Sequence, residues 1–130
     1  MEIERKFLMD TAFPTHLPLL EQAEVYQGYL AVHPVVRIRS KAVHGRTDYV
    51  LCFKGEGTIA RQETELEISE DIFYQLEQLL EAPMIQKDYR VYALPDGRRL
   101  ECNCVDRGTP TEFWYAEVEF PTLEEAYSFT

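Results

Sequence analysis

Apolar and polar residues alternate with a period of two along most of the chain, and the alternation breaks at glycines, prolines and short polar runs. That period sends successive side chains to opposite faces of a strand. It predicts eight strands: Glu2–Met9, Ala23–Val32, Val35–Val43, Thr47–Lys54, Arg61–Ile68, Met84–Leu94, Arg98–Val105 and Phe113–Phe120. His44-Gly45-Arg46 and Pro95-Asp96-Gly97 read as tight hairpin turns, and the segment from Gly55 to Ala60 as a flexible loop. The segment from Asp10 to Leu20 carries Pro14 and Pro18 and has room for at most a turn of helix.

A helical period replaces the strand period in one complete stretch, from Ser69 to Pro83. Ser69 is its N-cap, Glu70 and Asp71 sit at the positive end of the helix dipole, and Ile72, Phe73, Leu76, Leu79 and Leu80 form the apolar stripe. A second helix starts at Thr122, whose spacing to Glu125 fits a capping box, and the chain stops inside it at Thr130. Eight strands joined mostly by hairpins imply an antiparallel sheet that must manage its edges. Closure into a barrel, with a few flanking helices, is the general solution.

Strand parity then sorts the charges. Glu2, Glu4 and Lys6 share a face; so do Arg37, Arg39 and Lys41; so do Asp48, Val50, Cys52 and Lys54; so do Arg61, Glu63, Glu65 and Glu67. Arg99, Glu101 and Asn103 align on one strand, and Tyr115, Glu117 and Glu119 on the last. The opposite faces carry Ile3, Ile38, Leu66, Ile68, Leu100, Val118 and Phe120, which are packing residues, with Trp114 among them by parity. A half-wet sheet explains any single charged face. Blocks of like charge two residues apart repel, however, and a closed sheet would instead gather acids and bases around a polar lumen.

Composition narrows the partners. The chain has 130 residues, one domain's worth, with 23 acids against 13 bases and a net charge of −10, which disfavours nucleic acid and anionic membranes as partners. A local basic block still allows a small anionic ligand. No apolar run approaches the length of a membrane span, no signal peptide is visible, and three cysteines without disulfide spacing suit a cytoplasmic setting. The three histidines stand apart and form no zinc motif. A polyphosphate needs several Arg and Lys donors, whereas Mg²⁺ or Mn²⁺ takes carboxylate oxygens. Acids and bases interleaved in one cavity are what metal-dependent phosphoryl chemistry requires.

Glu2-Ile3-Glu4-Arg5-Lys6 resembles the ExExK signature that opens CYTH domains, the triphosphate tunnel metalloenzymes. Gln27–Leu30 (QGYL), Arg37–Arg39 (RIR), Lys54, Arg61–Glu65 (RQETE) and Ala116–Phe120 (AEVEF) follow in that family's order along nearly the whole chain. The resemblance implies an eight-stranded antiparallel barrel around a hydrophilic tunnel, and hydrolysis of inorganic or organic triphosphates with Mg²⁺ or Mn²⁺. It implies that Glu2, Glu4 and Glu119 hold a first metal, and that Glu63, Glu65, Glu101, Glu117 and Asn103 serve a second metal or its waters. Lys6, Arg37, Arg39, Lys54 and Arg61 would grip the triphosphate, and Tyr29 would orient the substrate end. Lys6, Tyr29, Arg61 and Glu117 are the residues expected to take part in catalysis. Arg90 resembles the arginine of a later K-x-R pair, with Lys87 as its lysine.

Three departures accompany the resemblance. Asn103 stands where the family usually has an acid; its amide oxygen ligates Mg²⁺ without bringing charge. Lys87 lies three residues before Arg90, so on a regular strand the two face opposite ways and Lys87 is the weaker candidate. Family members also usually continue beyond the last helix, so residues 1–130 read as a domain with a short C-terminal part. A non-catalytic polyphosphate- or nucleotide-binding module and an adenylyl cyclase are the alternative functions. The substrate and the choice between monomer and homodimer stay open.

Overall fold

The computed structural model describes residues 1–129. Nine strands and two helices follow in the order β1 (Glu2–Leu8), β2 (Leu19–Val32), β3 (Val35–Val43), β4 (Arg46–Lys54), β5 (Ala60–Arg61), β6 (Glu63–Glu67), α1 (Glu70–Glu77), β7 (Ile85–Ala93), β8 (Arg99–Val105), β9 (Phe113–Glu119) and α2 (Leu123–Ser128). All pairings are antiparallel, in the spatial order β5-β1-β9-β8-β7-β2-β3-β4-β6.

The two strands at the ends of that order are neighbours in sequence. The stretch expected as a single fifth strand divides at Gln62: Arg61 pairs with Glu2 of β1, whereas Glu63 pairs with Lys54 of β4. One segment therefore stitches both edges and brings the sheet round into a nearly closed barrel, which is why nine strands appear where eight were expected. The loop before it turns at Gly57, where φ is +133° and a Cβ would meet the Ala60 carbonyl oxygen at 2.1 Å; only glycine fits there.

Other boundaries shift for local reasons. β2 begins at Leu19, four residues before the expected start, because Leu19 and Glu21 already find partners on β7. The β3–β4 turn has positive φ at both His44 and Gly45, the primed geometry that matches strand twist. Helix α1 is capped by the Ser69 side chain at the Ile72 amide, as expected, but ends at Glu77. Tighter turns follow it, with Leu79 and Leu80 amides donating to the carbonyls of Leu76 and Glu77. Helix α2 is capped by Thr122 at the Glu125 amide and ends at Ser128, with Phe129 extended; the described chain leaves the helix rather than stopping within it.

The apolar core lies outside the barrel. Phe13, Tyr92, Cys102, Cys104, Trp114 and Ala116 pack under the irregular segment after β1, and Val118, Phe120 and Ala126 pack beneath α2. Trp114 stacks edge-on against Phe13 at 4.8 Å and its indole N–H donates to Glu112, so it is a packing residue. Leu66, expected to pack, is half exposed at its place on the edge strand β6. Of the expected apolar stripe, Phe73 is buried, whereas Ile72 and, beyond the end of α1, Leu79 remain exposed. Leu80 and Met84 fold back over β2 at Gly28, where a Cβ would stand 2.5 Å from one side chain and 2.7 Å from the other, so any larger residue in QGYL would make them shift.

Candidate active site

With the core outside, the inward row of every long strand faces one cavity of about 750 Å³. Register decides which charges meet there. Glu4 of β1 lies opposite Glu119 of β9, and Lys6 opposite Glu117. Carboxylate oxygens of Glu2, Glu4 and Glu119 all lie within 4.8 Å of one another, joining the two ends of the chain in one acidic cluster. Glu101 is the cross-strand partner of Glu117, which extends the acidic wall onto β8.

Cations occupy the facing walls. Arg37, Arg39 and Lys41 line the cavity from β3, Lys6 from β1 and Lys87 from β7. Lys54, 4% exposed, donates to Glu2 at 2.9 Å and lies 3.2 Å from Glu63. Arg61 stands 3.6 Å from Glu2, so the divided strand is tied to β1 and β4 by charge as well as by backbone. Arg39 lies 4.0 Å from Glu65. Two tyrosines span the wall between acids and bases: Tyr89 donates to Glu101 at 2.5 Å, and the Tyr115 hydroxyl accepts from Lys87. Tyr29 reaches the same cavity, its hydroxyl accepting from Gln27 at 3.3 Å.

A chain of this length aligns with an inorganic triphosphatase of Nitrosomonas europaea at 34% identity over 128 residues, covering 98% of this chain and 82% of that one. The chain belongs to the CYTH family. The crystal structure of an inorganic triphosphatase superposes on it with a TM-score of 0.63 at 30% identity, covering 99% of this chain and 82% of that one. A Hippeastrum protein, described as an adenylyl cyclase with a dominant triphosphatase activity, shares the fold at 18% identity and a TM-score of 0.66, with 98% and 83% of the two chains covered. No protein-family model matches the chain.

In this CYTH barrel the inward residues expected from parity do line the cavity, with one exception among the site residues. Arg90 points outward: its guanidinium stacks over Phe13 at 4.0 Å from the ring centroid and lies 3.5 Å from Asp88. β7 runs without a bulge through its pairing with β8, so Lys87 and Tyr89 share the inner face and Arg90 takes the outer one. The weaker candidate of that pair is therefore the one in the tunnel. Tyr89, which an inward Arg90 would put on the outer face by parity, lines the cavity instead. Lys41 sits on the right face but is engaged by Glu21 at 2.7 Å, and Arg99 holds the same carboxylate at 3.2 Å.

Crowded charge sets the protonation of the acidic cluster. Burial, the hydrogen bond and charge of Glu117, and the charge of Glu2 push the Glu4 carboxyl up to about 8. Burial and then the charge of Glu101 raise Glu119. Burial also pushes Glu2 up, but hydrogen bonds with Glu63 and Lys54 and the charges of Lys54 and Arg61 outweigh it and leave Glu2 below its ordinary value. Lys87 is pushed down to about 8 by burial and by Arg37, Lys6 and Arg39.

Three converging oxygen donors, with Glu4 and Glu119 both raised by burial and by neighbouring acids, fit a hard divalent cation, whose binding would displace the Glu4 proton. The acids expected at a second metal are dispersed. Glu63 and Glu65 converge with Cys52, and Glu101 is bonded to Tyr89.

A stability consequence follows with a definite sign. Between pH 4.5, the ordinary carboxyl value, and about 8, folded Glu4 keeps a proton that the unfolded chain has released. Its contribution is present in full below that window and is lost as pH rises through it; the raised Glu119, Glu63 and Glu101 act in the same direction. Thermal unfolding in chelator should therefore shift down by several degrees from pH 5.5 to 8, and saturating Mg²⁺ should reduce the shift. A midpoint that rises across that range would contradict the assigned protonation.

Proposed function

We propose that this chain hydrolyses the terminal phosphoanhydride bond of triphosphates, with inorganic tripolyphosphate as its preferred substrate and Mg²⁺ or Mn²⁺ as its cation. The observation that carries the reading is the meeting, in one cavity, of the Glu2, Glu4 and Glu119 cluster with Lys6, Arg37, Arg39 and Lys87. The relationship to an inorganic triphosphatase supports it.

In this reading Arg37 and Arg39 take the non-bridging oxygens from β3, and Lys6 and Lys87 take them from β1 and β7. Arg61 and Lys54 fix the Glu2 and Glu63 carboxylates, so that the acidic cluster keeps its shape when the anion enters. Glu2, Glu4 and Glu119 hold the cation, which when bound offsets charge on phosphoryl oxygens. Glu117, opposite Lys6 and beside Glu4, accepts the proton of the attacking water. The new P–O bond forms at the terminal phosphorus as the bond to the bridging oxygen breaks, giving phosphate and pyrophosphate without a covalent enzyme intermediate. Tyr29 positions the substrate from the cavity wall. Three free, buried cysteines support a reducing, cytoplasmic setting.

Phosphate release from tripolyphosphate, ATP and thiamine triphosphate, each with Mg²⁺, Mn²⁺ and Ca²⁺, tests the proposal. Tripolyphosphate should turn over fastest, with Mg²⁺ or Mn²⁺. Release from none of them would leave a binding module, and cyclic AMP formed from ATP would make the chain a cyclase.

A further inference from the structure

Asn103 occupies the middle of a row that crosses three strands: Tyr89 of β7, Asn103 of β8 and Tyr115 of β9 are direct cross-strand partners. It lines the cavity and is only 2% exposed. Its amide nitrogen is buried with no hydrogen-bond partner. An unmet donor at such a depth is costly. The groups beside it are already engaged. The Tyr89 hydroxyl gives its proton to Glu101, and Lys87 gives one of its protons to Tyr115.

What the amide lacks decides the kind of ligand. A carboxamide has two N–H donors and one acceptor oxygen, and the unmet atom here is the donor, so its complement is an acceptor. Positive charge collects on the same wall: the ammonium groups of Lys6 and Lys87 lie 5.7 and 5.1 Å from the centroid of the Tyr115 ring, which stands opposite Asn103. Acids flank the position as well, Glu101 two residues along β8 and Glu117 two residues beyond Tyr115, and Glu101 is held by Tyr89. A cation is better served by the convergent carboxylates of Glu2, Glu4 and Glu119, which supply charge that an amide lacks.

We infer that Asn103 is a phosphate-binding residue whose amide N–H donates to a non-bridging oxygen of the bound triphosphate, and that it is not a metal ligand. The inference rests on the triphosphate reading of the tunnel and adds the consequence that the Asn103 position takes no part in cation binding. Asparagine at this position then trades a metal-facing charge for an anion-facing donor.

Calorimetric titration of the full chain separates the possibilities. Tripolyphosphate is titrated in chelator, and Mn²⁺ is titrated without tripolyphosphate, into the unaltered protein, Asn103→Asp and Asn103→Ala. The isosteric Asn103→Asp should weaken metal-free tripolyphosphate binding at least tenfold and Asn103→Ala about fivefold, and Asn103→Ala should leave the Mn²⁺ affinity within twofold. If Asn103→Asp does not fold, as judged by its thermal midpoint, Asn103→Ser keeps a donor at the position and should bind more tightly than Asn103→Ala. Unchanged tripolyphosphate binding in Asn103→Ala, or loss of Mn²⁺ affinity in that variant, would overturn the inference while leaving the function proposal standing. No tripolyphosphate binding by the unaltered protein would overturn both.

Discussion

Glu4→Gln is expected to lower tripolyphosphate turnover by about a thousandfold, the scale found when one preorganised electrostatic group is removed from an active site. Glu4 lies at the junction of both halves of the acidic wall. Its cross-strand partner is Glu119, its carboxylate converges with those of Glu2 and Glu119, and it shares a hydrogen bond with Glu117. Glutamine preserves the shape and one oxygen but removes the charge that a cation would displace a proton to reach. The same change relieves repulsion among Glu2, Glu117 and Glu119, so the metal-free variant should melt no lower than the parent at pH 8. Loss of activity without loss of stability is the signature of a functional role. Turnover within threefold of the parent would remove Glu4 from the site.

Lys54→Ala has the largest expected effect on folding. The lysine side chain is 5% exposed and bridges Glu2, 10% exposed, and Glu63, 24% exposed. Those carboxylates belong to β1 and β6, and Lys54 itself ends β4, so the bridge ties together the two edges that the divided segment joins. Removing the cation leaves two acids facing each other in a confined space, and breaking a buried pair from one side costs about 3–5 kcal/mol. That is a large share of the stability of an ordinary domain, about 5–15 kcal/mol. Urea unfolding should report the loss, and adding Glu63→Gln to the variant should recover part of it by removing one stranded charge. A loss below about 1 kcal/mol, the range of a solvated surface pair, would mean that the bridge does not hold the closure.

Period-two alternation made the long strands legible, because each keeps one apolar and one charged face. Parity was enough to gather Glu2, Glu4 and Lys6 with Arg37 and Arg39 on inward rows, since the apolar residues between them had to face the outer core. The register that sets Glu4 against Glu119 was not readable from either strand alone, because it depends on where β9 enters the sheet after a loop. Closure itself was legible, but the place where it happens was not, for a related reason. Nothing about Gln62 marks a break, and only the arrival of two different edge strands on either side of it divides the segment. The expectation for Arg90 rested on its likeness to the arginine of a K-x-R pair, whereas its place on β7 gives it to the Phe13 ring and lets Lys87 and Tyr89 turn inward. Helix α1 falls short of its apolar stripe: tighter turns follow Glu77, and Leu80 packs at Gly28 of β2. Asn103 was visible as a departure from a pattern, but its unmet donor required the three-strand row around it.

The most direct test follows tripolyphosphate itself by phosphorus NMR, with Mg²⁺ present and the unaltered protein at catalytic concentration. Each tripolyphosphate consumed should yield one pyrophosphate and one phosphate, and chelator should stop the reaction. Tripolyphosphate that persists unchanged with every divalent cation, while still binding in the tunnel, would contradict hydrolysis and leave a cavity that only holds its anion.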